Sequence, residues 1–486
     1  MASGKPDKID EKGLTVKKAE NFSEWYVQVL LKSEFIDYSD ISGMYIFRPA
    51  AFGAWQEIYH ATDAALKKSG VENVYFPVLI PEKFLKMEKE HLEGFTPEVA
   101  WVTHAGDTKM SERLAVRPTS EVIMYPSFSK WIRSWRDLPM RYNQWNSVVR
   151  WEFKDPTPLI RGREFLWNEG HSVFATEKEA NAERDIIIGI YTKVLKEYLA
   201  LPGIIGRKTD KEKFAGAVES YSIEHIMPDR YGVQGPAFHI DGQKFAKAFD
   251  IKFLDKEGKT EYAWQNTYAI STREMGVMIA THSDDKGLVI PPKLAHVQVA
   301  IVPIYKNETK DQVLEFANKI VEKLSEKLRV KVDDREGYSP GFKFNYWELH
   351  GTPLRIEVGP KEVERKVVVV ARRDTGAKSE IGIEEINKRV SALLDEIQNS
   401  LYEKAQEFLE ENTHTVEDYN QFKKVLKEKG GIISAPWCED QKCEDKIKEE
   451  TGAKITNVPL KQPKLAPKCI YCEKKSRHMA NFAKSY

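Results

Sequence analysis

The sequence predicts an α+β protein: an antiparallel-sheet domain, then a smaller α/β domain, then a small C-terminal α+β unit. Three observations carry that reading. Short apolar strands (LAVRP, SVVRWEF, REFLWNEGHSVF, AFDIKFL, EYAWQNTYAIS) arrive in hairpin-like runs up to residue 271, with few helices among them. After Pro291 and Pro292 strand alternates with helix. All four cysteines then fall near the end of the chain.

Taken in order, residues 1–20 are polar and read as a flexible N-terminal segment. A helix starts near Asn21 to Glu24 and runs through WYVQVLLKSEF. Over 49–69, Phe52, Trp55, Ile58, Tyr59, Ala65 and Leu66 recur at helical spacing. Gly70 ends that run, and VYFPVLIP follows as a strand interrupted at Pro77. The clearest helix inside the sheet domain spans 177–199. Further on, HVQVAIVPIY, VKVDDR, LRIEVG and KVVVVARR read as strands and 310–328 and 342–350 as helices, which predicts a mostly parallel sheet. A Lys- and Glu-rich helix over 384–410 leads to the third unit. The resulting boundaries are 1–20, 21–294, 295–400 and 401–486, with no internal repeat or low-complexity tract.

At 486 residues and 41% hydrophobic content the chain has material for about three domains. Lys+Arg and Asp+Glu both number 74, so any contact with a polyanion must come from locally segregated charge. The N-terminus MASGKPDKIDEKGL lacks an apolar signal core, and no apolar run nears the ~18 residues of a membrane span; the sequence therefore reads as soluble and cytoplasmic. Placing every cysteine late argues against a secreted disulfide framework. Cys438 and Cys443 have four residues between them and Cys469 and Cys472 two, with 25 between the pairs. Two short loops giving two thiolates each is a tetrahedral zinc signature; four reduced structural thiols is the other reading. A closed four-thiolate site is structural, not catalytic.

The stretch VRWEFKDPTPLIRGREFLWNEGH, 149–171, is the most informative. Arg150 and Glu152 alternate along a strand, Asp155, Pro156 and Pro158 break it, and Arg161 opens a second run carrying Phe165 and Trp167. Arginine forks match phosphate oxygens bidentately and stay charged, so two of them on one hairpin beside an aromatic ring suggest a nucleotide triphosphate clamp. Standing alone, such a hairpin reads more readily as a solvated salt-bridge ladder.

Four segments together resemble the prolyl-tRNA synthetases, class II aminoacyl-tRNA synthetases of the archaeal and eukaryotic type. They are the helix and strand reaching Pro77, RPTSE at 117–121, the 150–171 hairpin, and NTYAISTREMGVMIATHSDDKGLVIPP at 266–292. The resemblance implies a class II catalytic domain with a six- to seven-stranded antiparallel sheet, an α/β anticodon-binding domain, a C-terminal zinc-type domain and a homodimer. The stretch between His171 and Trp264 is too short for the editing insertion many bacterial relatives carry.

The activity implied is proline–tRNA ligation: ATP, with Mg²⁺, activates L-proline to prolyl-adenylate, and the prolyl group passes to the 3′ end of tRNA(Pro). By residue-wise carry-over Arg150 and Arg273 are the catalytic pair. Arg150 bridges the α-phosphate and the attacking carboxylate, Arg161 holds the β- and γ-phosphates, and Glu152 contacts the adenine side or a Mg²⁺. Phe165 and Arg273 sandwich the adenine. Gly162, Gln234, Ser271 and Thr272 complete the nucleotide site. For proline, Thr119 and Glu121 meet the ring nitrogen, while Trp167, Phe214 and His239 wall the ring, with His171 and Ser271 nearby. The family often has Thr where this chain has Gly162 and Ala237; the first contact is expected from backbone groups, whereas the second departure weakens a ribose or phosphate hydrogen bond. Glu348, Arg355 and Lys361 are the candidate readers of anticodon guanines. Tyr486, the last residue, is expected to fold back toward the catalytic domain. From 454 to 484 eight Lys/Arg face one acid, Glu473, an excess that fits phosphate contacts or a solvated tail equally.

Two other readings compete. A catalytically idle synthetase relative serving as an RNA-binding or regulatory scaffold is opposed by the intact Arg150, Arg161, Glu121 and Arg273. A sister threonyl or glycyl enzyme is disfavoured by RPTSE and by the lack of a metal-binding triad in the core.

Overall fold

The computed structural model describes residues 13–91, 98–152 and 155–486. The helix Phe22–Lys32 opens where expected, because the Asn21 side chain accepts from Glu24 N at 3.2 Å and satisfies an otherwise orphaned donor. The helix Pro49–Lys68 has proline in its first turn, where a missing N–H costs nothing, and stops before Gly70 at φ +88°. Thr176 and Glu179 form a reciprocal capping box for Glu177–Val194, which ends in one wider turn at Leu195–Leu199.

Two expectations about the N-terminal part need correction. Residues 13–20 are not loose: Leu14 and Val16 pack on the central core, Lys18 N donates to Asp285 Oδ1 at 2.7 Å, and Lys18 Nζ donates to Ser283 O at 2.8 Å. The rest of that expected flexible segment, 1–12, lies outside the described residues. VYFPVLIP is not one strand either. Only its end, Leu79–Pro81, is a strand, in a separate three-stranded sheet; Glu72–Asn73, just before the segment, joins the main sheet, and Pro77, which has no N–H to give a ladder, lies between the two.

The main sheet has eleven strands in the order Thr413–Thr415, Ile432–Trp437, His478–Ala483, Lys454–Pro459, Ile204–Arg207, Glu219–Ile226, Gly232–Gly242, Trp264–Ser271, Glu164–Phe174, Met140–Val149, Glu72–Asn73. The seven strands from Ile204–Arg207 onward form the sheet of the first domain, antiparallel except for the parallel edge Glu72–Asn73. The other four belong to the C-terminal unit, which docks by pairing Val458 and Pro459 with Arg207 and Gly206. That unit has its own core around Phe422, Trp437, Ile447 and Phe482.

One face of this seven-stranded sheet is apolar. Phe238, Ile240, Tyr268 and Ile270 pack against Ile58, Ile187, Tyr191 and Met275 of three covering helices, so strand alternation turns their neighbours to the opposite face. Gly170 is required here: a Cβ on it would sit 1.9 Å from the ring of Tyr268, its cross-strand partner.

In the second domain the strands run Val330–Val332, Val299–Pro303, Leu354–Val358, Val367–Arg372, Lys378–Gly382. The expectation of a mostly parallel sheet is half right: the first two pairings are parallel and the last two antiparallel. The connections from Val358 onward hold only the short helix Pro360–Arg365 and a hairpin, too little chain for further crossovers.

Candidate active site

Cross-strand register builds the site in rows on the face opposite the helices. The deepest row is Ser220, His239, Thr267, His171; the next is Ser222, Ala237, Ala269, Glu169, Gln144; the third is Ser271, Trp167, Asn146. Above them lies a cavity of about 340 Å³, within the usual range for a small-molecule site. The candidates Thr119, Glu121, Arg150, Arg161, Gly162, Phe165, Trp167, His171, Phe214, Gln234, His239, Ser271 and Arg273 all line it. Glu152 and Thr272 do not. Glu152 is exposed just beyond the strand end, and Thr272 is buried at the start of the helix Arg273–His282.

The hairpin is shorter than its sequence suggests. Pairing ends at Val149 and Glu164, so Arg150, Glu152 and Arg161 sit on its connecting loop and not on strands. A single bond, Arg150 N to Arg163 O at 2.8 Å, extends the ladder by one step. The loop then folds on itself, with Thr157 and Arg161 exchanging backbone bonds of 2.9 and 2.8 Å, which fixes where Arg161 begins. Arg150 donates through Nε to Pro118 O at 2.9 Å and lies 5.3 Å over the Phe165 ring and 5.2 Å over Trp167. Burial lowers its pKa and the carboxylates Glu152, Glu121 and Glu169 offset this. Gly162 abuts the backbone of Gly43, whose carbonyl would be 3.1 Å from an added Cβ.

Glu169 organises the deep end. Its carboxylate accepts from Ser120 N (3.0 Å), Ser120 Oγ, Gln144 Nε2 (3.1 Å) and Asn146 Nδ2 (2.5 Å), and faces His171 Nε2 at 3.3 Å. Burial pushes this carboxyl up, but His171 and those donors outweigh it and hold it below the usual range. Pinning Ser120 places both neighbours: Thr119 Oγ1 donates to Glu121 Oε2, and Glu121 begins the helix Glu121–Trp131. His171 completes the wall through Tyr125 OH, 3.1 Å from its Nδ1. Nearby, Phe214 and His239 rings lie 5.1 Å apart, and Ser220 Oγ joins them, accepting from Phe214 N at 3.0 Å and meeting His239 Nδ1 at 2.8 Å. Burial, then Lys208, pushes His239 down to about 4, so the ring is neutral near pH 7.

At the other end Arg273 donates through Nε to Ile160 O (3.0 Å) and through Nη1 to Gln234 O (3.1 Å). Its helix therefore ties the hairpin loop to the strand Gly232–Gly242.

Sequence reasoning passed over Glu169, Ser220, Tyr221 and Lys208, which also line the cavity. Glu169 had a signal, since it alternates with Trp167 and His171 on one strand face. Lys208, buried and bonded to Glu224 Oε1 at 2.6 Å and Thr456 O at 2.7 Å, had none.

Elsewhere, Glu348 meets Lys286 at 3.0 Å, Arg355 bonds Glu357 at 3.0 Å and lies 4.3 Å over Phe344, and Lys361 is exposed. The C-terminal Tyr486 packs against the catalytic core, its hydroxyl bonded to Asp229. The four cysteines are free thiols whose Sγ atoms lie within 4.8 Å of one another, with Cys438 3.6 Å from both Cys443 and Cys472. Zn–S bonds of ~2.3 Å in a tetrahedron separate sulfurs by roughly 3.8 Å, so this set fits one ion. Among the described residues no helix is long and apolar enough to cross a membrane.

An antiparallel sheet with arginines at its loop and helix ends, feeding an α/β domain, defines a class II aminoacyl-tRNA synthetase. Family models agree: tRNA synthetase class II core domain (G, H, P, S and T) matches 101–282, the anticodon binding domain 298–393, and the prolyl-tRNA synthetase C-terminal domain 419–486. The chain is 47% identical to proline–tRNA ligase 2 of Bacillus cereus, over 97% of this chain and 98% of that protein. It belongs to the prolyl-tRNA synthetase family. It is also 44% identical to proline–tRNA ligase 2 of Clostridioides difficile over the full length of both. Among solved structures it is similar to prolyl-tRNA synthetase from Cryptosporidium parvum complexed with halofuginone and AMPPNP, with TM-score 0.94, 44% identity, and 98% and 100% of the two chains covered.

Proposed function

We propose that this chain activates L-proline with ATP and transfers the prolyl group to tRNA(Pro). The observation that carries the reading is that Arg150, Arg161 and Arg273 line the same cavity as Thr119, Glu121, Phe214 and His239. On the strand Glu164–Phe174, Phe165 and His171 are six residues apart, about 20 Å, room for a nucleotide and a small amino acid end to end.

Proline's carboxylate attacks the ATP α-phosphorus in line and pyrophosphate leaves. The protein supplies position and charge, not a nucleophile. Arg150 stabilises charge on the α-phosphate and incoming carboxylate. Arg161 and Gly162 hold the outer phosphates, Phe165 and Arg273 enclose the adenine, and Gln234, Ser271 and Thr272 shape the nucleotide site, Thr272 through its backbone. Thr119 and Glu121 receive the charged ring nitrogen, and Trp167, His171, Phe214 and neutral His239 wall the ring. Mg²⁺, when bound with ATP, neutralises phosphate charge, and Glu152 is its candidate ligand. Glu348, Arg355 and Lys361 read the anticodon. Zn²⁺ held by Cys438, Cys443, Cys469 and Cys472 stabilises the C-terminal unit.

Several finer features belong to the same reading. The boundaries 21–294, 295–400 and 401–486 are proposed as functional units. The archaeal and eukaryotic type, without an editing insertion, is supported by the way the chain between Phe174 and Trp264 is taken up by strands of the sheet, its helices and their turns. A homodimer is supported by Tyr75, Val78 and Trp131, large apolar side chains 73%, 41% and 50% exposed around the segment that reaches Pro77. Four free thiols fit the reducing cytoplasm, where tRNA charging serves translation. Proline-dependent ATP–pyrophosphate exchange, then charging of tRNA(Pro), tests the function. Exchange driven by another amino acid in preference to proline would reject it.

A further inference from the structure

Behind the cavity lies a charged pair that the mechanism above does not use. His225 Nε2 is 3.0 Å from Glu274 Oε2, with the two side chains only 2% and 1% exposed. The other ring nitrogen, Nδ1, meets Pro202 O at 2.8 Å. Both nitrogens therefore face oxygen acceptors, an arrangement satisfied when each carries a proton. Coulombic attraction to Glu274, and then a side-chain hydrogen bond to it, join the pair.

This pair touches the backbone on two sides of Arg273, at the helix start that carries it and beside the Gln234 carbonyl that holds it. Glu274 is the next residue, in the first turn of the helix Arg273–His282, where a carboxylate is favoured by the helix dipole. On the other side the imidazole lies against Gly235, so closely that a Cβ there would come within 2.5 Å of Nε2. Gly235 follows Gln234, whose carbonyl accepts from Arg273 Nη1. The imidazole thus wedges between the helix start that carries Arg273 and the peptide that holds its guanidinium.

We propose that His225 and Glu274 are positioning residues for Arg273, and that they act only while His225 carries its proton. The inference rests on Arg273 being an ATP contact. If the imidazole loses its proton, Glu274 loses its buried countercharge, and the cation next to it in the chain is Arg273. Arg273 then turns toward Glu274 and away from the nucleotide, so ATP binding weakens while the proline end, built on Glu169 and Ser220, is untouched.

The surroundings favour the charged imidazole at neutral pH. Burial pushes His225 down, but Glu274, the Pro202 carbonyl and Glu224 outweigh it and raise it above its ordinary value. Glu224, on the same strand, is already matched by Lys208. From the helix Arg273–His282 the charged neighbours are Glu274 and Arg273, and from the long helix Ile386–Glu411 the residues beside His225 are Ala405, Phe408 and Leu409. A group whose folded pKa is raised contributes at low pH and loses its contribution as pH rises through the folded value.

The test is steady-state pyrophosphate exchange by the full-length protein from about pH 6 to about pH 9, a range that brackets imidazole titration. KM for ATP and for proline would be measured for wild type, His225→Asn, Glu274→Gln and the double variant. The expected result is a wild-type KM for ATP that rises about tenfold toward alkaline pH while KM for proline, corrected for its own titration, stays within about twofold, and a double variant lacking that rise. His225→Asn alone should show the high KM for ATP at every pH. If it fails to fold, the charge-free double variant carries the comparison. A flat wild-type profile, or the same rise in the double variant, overturns the inference while leaving the ligase reading intact. Wild type without proline-dependent exchange at any pH overturns that reading and this inference with it.

Discussion

Arg373 of the anticodon-binding domain closes both arms of its guanidinium on Asp284 of the catalytic domain, at 2.8 and 2.5 Å. Its Nε also donates to Glu348 O at 2.8 Å, while Asp284 O accepts from Trp25 Nε1 at 3.2 Å. One buried arginine thus ties the helix bearing Glu348 to the segment just after the helix bearing Arg273. Burial pushes the Asp284 carboxyl up, and Arg373 more than offsets it.

Arg373→Ala should loosen this junction. Asp284 keeps 45% of its side chain exposed, so solvent screens the loss, and a cost of ~1–2 kcal/mol is expected, less than for a wholly buried pair. Thermal unfolding should show it, and tRNA charging should fall more than pyrophosphate exchange. By contrast Arg355→Ala should lower charging with unfolding and exchange near wild type. Equal loss of exchange and charging in Arg355→Ala would make that residue structural.

Arg150→Ala should abolish activation and leave the fold intact, because its guanidinium is held at the cavity by Pro118 O and two aromatic faces. Removing a donor aimed at developing charge costs about 10²–10³ in rate. Exchange retained above roughly a tenth of wild type would contradict the role.

The four sulfurs should hold one zinc ion per chain in protein purified without added metal, read by elemental analysis. A Cys469→Ser, Cys472→Ser variant should lose the ion and unfold at lower temperature, since two thiolates cannot close a tetrahedral site. Wild type that is metal-free yet equally stable would refute a structural zinc.

Asp241 predicts a pH-dependent stability. It is fully buried, neither carboxyl oxygen has a well-aligned hydrogen bond, and burial, then Glu121, raises its pKa well above the ordinary value. The folded chain keeps that proton while the unfolded chain releases it, so stability falls as pH rises from the unfolded value toward the folded one. Asp241→Asn removes this dependence and should be more stable near pH 7 by ~1–3 kcal/mol, with the gap closing near pH 4. Unfolding curves that run parallel at both pH values would show that Asp241 is ionised in the fold.

Much of the site was legible because strand alternation and short motifs are local. Trp167 and His171 share a face at two-residue steps, the cysteine spacing gives four convergent thiols, and Asn21 marks a helix start that the structure keeps. The Arg150 loop was identified too, although its residues were assigned to strands that stop at Val149 and resume at Glu164. Pleat parity says which way a side chain points, but not where a ladder ends.

What only the tertiary structure decided is cross-strand register between segments far apart in the chain. The row Ser220, His239, Thr267, His171 draws on four strands, and no spacing in the sequence encodes it. The same holds for Glu169 gathering Ser120, Gln144 and Asn146, for His225 meeting Glu274, and for the C-terminal strands continuing the catalytic sheet through Val458 and Pro459. The sequence by itself determined which chemical groups are present and which face of each strand or helix they take, because backbone geometry alone sets those periods. Their convergence depended on how the sheet closes and packs, because burial and pairing energies are settled only when distant segments meet.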